Sequence, residues 1–121
     1  MKFYPLTTEL APEVVAAGYK EGREIGKSRL GAKALYFRDK LKVYYIPYED
    51  ISRVFRRVLL IPAKMCCGKG DFEVENIVIC SGERELAQIQ LPGERAGKIL
   101  LEELEKRAPH AEIGKPNDSA E

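Results

Sequence analysis

Histidine is almost missing from this chain of 121 residues: the single one is His110, close to the C-terminus. That scarcity argues against the Ser–His and Cys–His pairs on which most nucleophilic catalysis depends. Cysteine is scarce too, and odd in number: Cys66, Cys67 and Cys80. Three thiols fit a reducing compartment better than a disulfide framework. They also fall short of a zinc site, which usually shows one spaced pair of ligands and a second pair at a distance. No stretch approaches the roughly 20 apolar residues of a membrane span. The opening MKFYPLTTEL lacks the apolar core of a secretion signal. An excess of one charge is lacking as well, since 20 Lys and Arg stand against 19 Asp and Glu. There is thus no global pull towards nucleic acid or an anionic membrane, and any such binding must come from a local patch. The expectation is a cytoplasmic, non-catalytic protein with one core and no cofactor.

What is present is a dense β pattern around ALYFRDKLKVYYIPYEDISRVFRRV, residues 34–58. Ala34–Phe37 and Leu41–Ile46 are rich in aromatic and aliphatic residues that suit a pleated surface, and Arg38-Asp39-Lys40 between them has hairpin length. Alternation puts Leu41, Val43 and Tyr45 on one face and Lys42, Tyr44 and Ile46 on the other. Pro47 removes a ladder donor. A further strand reopens over Ile51–Ile61. Arginines interrupt both of its faces, which predicts a bulge or bend. Phe72–Cys80 and Arg84–Leu91 read as a second hairpin around Ser81-Gly82-Glu83.

Two helices flank these strands. Ala11–Glu21 can be capped by Thr7 or Thr8, with Pro12 in its first turn. Gly18, Gly22 and Gly26 recur every four residues. They would make a smooth face on one long helix, but each weakens a helix by roughly 1 kcal/mol, so the favoured reading ends it near Gly22. Arg23–Leu30 is then a first strand or an extended entry to the central hairpin. Glu94–Arg107 is the best helix, with Ala96, Gly97, Leu100, Leu101 and Leu104 on one stripe, acidic at its start and basic at its end. Leu100, Leu101 and Leu104 are expected to cover strands lined by Leu35, Phe37, Val43, Tyr45, Val78 and Ile89. Pro109 stops the helix, and residues 109–121 read as a flexible tail.

The order of IGKSRLGAKALYF, a short strand, YYIPYEDISRVFRRV, a hairpin ending IVICSGERELAQIQL, and an amphipathic helix resembles bacterial pleckstrin-homology-like (PH-like) domains. The phrase Ile46-Pro47-Tyr48-Glu49-Asp50-Ile51-Ser52-Arg53-Val54 is similar to one that precedes a strand in such domains. The resemblance implies an α+β fold, a strongly bent antiparallel sheet or partly open barrel capped by the C-terminal helix. Residues 1–22 would then be a helical lead-in and 23–108 the PH-like domain. It implies a scaffold and not an activity.

Candidate chemistry is basic. Arg53, Arg56 and Arg57, with Lys64 and Lys69 further on, could bind phosphate or carboxylate. A second group is Lys27, Arg29 and Lys33, near the loop that phosphoinositide-binding relatives of the fold use. The competing reading pairs the three arginines with Glu49, Asp50, Glu73 or Glu75 across the sheet. Cys66 and Cys67 beside Gly68-Lys69-Gly70 are weak candidates for a metal or redox site. Gly26-Lys27-Ser28 ends like a phosphate-binding loop, but Glu21 stands where the first glycine of that loop belongs. Tyr44, Tyr45 and Phe37 beside Lys42 and Arg38 could face nucleic acid, but the near-neutral charge makes that partner unlikely. The favoured role is binding a protein or peptide partner, or a second copy, at an edge strand or in a groove beside the last helix. The alternative is recognition of an anionic lipid headgroup or phosphate.

Overall fold

The structure is a computed structural model and describes residues 2–62 and 71–114. The chain order is β1 (Phe3–Pro5), α1 (Pro12–Glu21), β2 (Arg23–Ile25), β3 (Ser28–Leu30), β4 (Ala34–Asp39), β5 (Lys42–Pro47), one 3-10 turn (Tyr48–Asp50), β6 (Arg53–Pro62), β7 (Asp71–Ser81), β8 (Arg84–Leu91), α2 (Glu94–Arg107) and β9 (Glu112–Ile113). The class is α+β, as expected. The strands form two mixed sheets, ordered β1-β5-β4-β3-β2 and β8-β7-β6-β9, which do not close into a barrel.

That corrects the single bent antiparallel sheet. β1 pairs with β5, and β9 with β6, in parallel. The break between sheets falls where Pro47 withholds a ladder donor and Tyr48–Asp50 coils into a tight turn. No helix among the described residues is long and apolar enough to cross a membrane.

Arg23–Leu30 is two strands and not one. Gly26, at φ 59°, turns the chain back between Ile25 and Ser28, a backbone region where a Cβ is costly. β4 is buried at Ala34, Leu35, Tyr36 and Phe37 in succession because both of its faces are covered. Tyr36 lies under α1, where its hydroxyl donates to the Val15 carbonyl at 2.7 Å, and burial pushes its pKa up to about 12. Gly18 allows that approach: a Cβ there would sit 2.6 Å from the Tyr36 hydroxyl. The helix ends at Glu21 with Gly22 as its C-cap.

Neither threonine caps α1. Thr7 instead donates its hydroxyl to the Asp50 carboxylate at 2.6 Å, tying the N-terminal segment to the turn after β5. This bond holds the Asp50 carboxyl below its ordinary value. A lowered folded-state pKa contributes stability above the ordinary carboxylate range, and that stability is lost as pH falls through the folded value. Thr7→Val should therefore move the Asp50 titration midpoint upward in carboxyl NMR. An unmoved midpoint would mean the contact is not made in solution.

The main core joins Leu35, Phe37 and Ile46 of one sheet to Ile77, Ile79 and Ile89 of the other, with Leu100 and Leu104 of α2 fully buried among them. Each such side chain contributes roughly 1.5–3 kcal/mol. Leu101 packs at the margin. Three expected core residues face elsewhere. Val43 and Tyr45 lie on the α1 side with Val15 and Tyr36, and Val78 packs with Phe55 and Cys80. The register explains the first two: Tyr45 opposes Tyr36, whereas Ile46 opposes Leu35. Leu41 is not on the Val43 face either; it sits in the two-residue β4–β5 turn and is 101% exposed.

Candidate functional site

The arginines that interrupt β6 cause no bulge. β6 pairs with β7 in unbroken register from Arg53 to Pro62, and the one irregularity falls between Ile79 and Cys80, against β8. The charges are matched with carboxylates instead. Arg56 grips Glu75 with Nε on Oε2 and Nη2 on Oε1 at 3.1 Å, and Glu94 of α2 lies 3.5 Å away. Glu75 is 6% exposed. Its hydrogen bond to Arg56 is the main cause that raises the guanidinium pKa, and the Glu75 and Glu94 charges add to it. Gly97 makes the room, since a Cβ there would sit 2.6 Å from Glu75 Oε2. An open cavity of about 490 Å³ beside this pair is walled by Gln90, Pro92 and Gly93.

Arg53 and Arg57 point to the opposite face from Arg56. Arg57 pairs with Glu85 at 2.6 Å, donates to the Gln88 side-chain oxygen at 2.9 Å, and lies over the Phe55 ring. Arg53 binds the Glu112 carboxylate and donates to the Gly114 carbonyl at 2.9 Å. Of the expected partners, Glu75 takes an arginine and, among the described residues, Glu49 and Asp50 do not; the Glu73 side chain lies outside the described ones. Glu85 and Glu112 were not foreseen, because their positions follow from register and from a parallel strand that no local pattern announces.

The second basic group does not gather. Arg29 donates to the Tyr19 carbonyl at 2.9 Å, lies over the Tyr19 ring and sits 3.8 Å from Glu24. Lys27 is in the β2–β3 turn. Lys33 borders a different cavity, of about 460 Å³, with Tyr48, Glu49, Arg107 and His110. Lys64, Lys69, Cys66 and Cys67 lie outside the described residues. Cys80 is buried, and burial first, then the Glu85 charge, raises its thiol pKa. Among the described residues no three His, Cys, Asp or Glu side chains come together to hold a metal.

Two surfaces suit an extended chain. One is a groove of about 410 Å³ between β2 and α2, lined by Ile25, Pro92, Ala96 and Ile99 and flanked by Arg23 and Arg95. The other is the outer edge of β6, which β9 fills at Arg53 and Val54. The Glu112 N–H donates to the Ser52 carbonyl at 2.9 Å and the Gly114 N–H to the Val54 carbonyl at 2.8 Å. The residues expected to form a mobile tail are therefore held through Gly114. They are held lightly: the Glu112 side chain is 68% exposed and Ile113 is 40% exposed.

The fold and this edge define a small α+β domain whose sheet margin accepts an extended segment in parallel. No family model, curated protein or solved structure matches the chain.

Proposed function

We propose that this chain is a non-catalytic, cytoplasmic binding module of PH-like architecture that takes an extended protein segment along the edge of β6. The PH-like reading is supported by two antiparallel meanders, β2-β3-β4-β5 and β6-β7-β8, followed by a helix that plugs the core between them. The observation that carries the binding role is the seated segment Glu112–Gly114. It pairs through main-chain bonds, with Arg53 reading an acidic side chain. Strand addition of this kind draws its affinity from the backbone and its selectivity from the side chains that alternate along it. A partner that presents an acidic residue followed by an aliphatic one would make the same contacts, and so would the same segment of a second copy. The rival reading, an anion held by Arg53, Arg56 and Arg57, is less favoured because each guanidinium already faces a carboxylate.

Fluorescence anisotropy with a labelled peptide of residues 108–114 tests this. Gly114→Pro removes the donor to Val54, in a residue whose φ of 128° proline cannot adopt, and should free the edge. That variant is expected to bind the peptide about tenfold or more tighter than the parent chain, whose tethered segment competes at an effective concentration on the order of millimolar. Adding Arg53→Glu should abolish binding. Failure of the freed edge to bind, or binding indifferent to Arg53, would refute the proposal.

A further inference from the structure

Among the described residues the cations are of two kinds, those within ion-pair distance of an acid and those that are not, the latter including Lys2, Lys20, Lys33, Arg84 and Arg95 away from the β4–β5 turn. Arg23, Arg29, Arg53, Arg56, Arg57 and Arg107 each face a carboxylate. Around the β4–β5 turn the pattern is reversed: among the described residues, Arg38, Lys40 and Lys42 are exposed and none lies within ion-pair distance of an acid. Asp39, the last residue of β4 and the cross-strand partner of Lys42, is the one acid beside the turn. The Arg38 N–H donates to the Lys27 carbonyl at 2.9 Å, which sets the β2–β3 turn, with its own unpaired Lys27, alongside. At the apex stands Leu41.

A singly exposed leucine is ordinary. This one is distinguished by degree and by company. It is 101% exposed, whereas the next exposed apolar side chain among the described residues is Val58 at 42%. Cations precede and follow it directly. Behind it Lys42 lies over the Tyr4 ring at 5.2 Å, and Tyr4 packs against Tyr44. An apolar apex, a collar of unpaired cations and half-buried tyrosines behind them is the arrangement suited to the boundary between acyl chains and anionic headgroups.

We infer that the β4–β5 turn anchors the protein to anionic membrane surfaces, with Leu41 entering the acyl boundary while Arg38, Lys40 and Lys42 rest on lipid phosphates. Charge complementarity selects this occupant over a neutral protein surface, and a protruding side chain selects a deformable bilayer over free phosphate. The site is distinct from the β6 edge, so the two proposals stand or fall separately.

The chain contains no tryptophan, so Leu41→Trp makes a single-site fluorescent reporter. With vesicles of phosphatidylcholine and phosphatidylserine at low salt, its emission should shift to the blue. With phosphatidylcholine alone, or at high salt, where screening shortens to a few ångströms, it should not. The native chain should co-sediment with the anionic vesicles. Lys40→Glu with Lys42→Glu should weaken that binding about tenfold or more, and Leu41→Ser should weaken it without altering its salt dependence. Soluble glycerophosphoserine should not compete. An unshifted emission, equal sedimentation with neutral vesicles, or full competition by the soluble headgroup would each overturn the inference. The circular dichroism spectra of these turn variants are expected to match that of the native chain.

Discussion

Leu104→Ala is expected to lower the free energy of unfolding by about 2–5 kcal/mol, measured by chemical denaturation. The size follows from where Leu104 sits. It is fully buried, and with Leu100 it joins α2 to strands of both sheets. Its neighbours Ile46, Ile77 and Ile79 lie in ladders of main-chain hydrogen bonds, so they cannot collapse into the space a truncation leaves. A domain of this size holds about 5–15 kcal/mol in total, so one truncation removes a large share. Leu101, only partly buried at the cluster margin, provides the contrast: Leu101→Ala should cost clearly less. A loss below about 1 kcal/mol at Leu104 would mean that α2 does not plug the core.

Arg56→Met is expected to cost about 3 kcal/mol, again read from denaturation. Glu75 is buried against Gly97 and satisfied by the bidentate guanidinium. Removing that partner leaves a buried carboxylate without its counter-charge and with Glu94 nearby. Breaking a buried pair from one side costs more than the pair contributes, about 3–5 kcal/mol, and the low end applies because Arg56 keeps an open side towards solvent. The double variant Arg56→Met with Glu75→Met should recover most of the loss, since two apolar side chains of similar length leave no stranded charge. If the double variant is as unstable as the single one, or if Arg56→Met costs nothing, the pair does not organise this corner of the molecule.

These two sites mark what the sequence made legible and what it hid. The leucine stripe of α2 is a periodic, local signal, and the structure places Leu100 and Leu104 at the core centre as that signal indicated. The hairpins were equally readable from aromatic and aliphatic alternation. The face that each strand turns inward was not. In β5 both parities are largely apolar; Val43 and Tyr45 were expected under α2, yet they lie under α1 while Ile46 enters the main core, and only that second layer decides between the faces. β1 and β9 are short parallel edge strands whose pairing rests on distant residues; three residues from Phe3, or two from Glu112, carry no pattern of their own. Arg53, Arg56 and Arg57 were visible as charges, but their split between two faces and their partners follow from register. Leu41 was misread for a related reason: a turn of two residues places it outside the ladder by a single position.

The most direct test of the central claim is an NMR titration of the isotopically labelled Gly114→Pro chain with the unlabelled peptide of residues 108–114. Strand addition at β6 predicts saturable shift changes concentrated at Ser52, Arg53, Val54 and Phe55, all lost with Arg53→Glu. Shift changes confined to another surface, or none at saturating peptide, would contradict it.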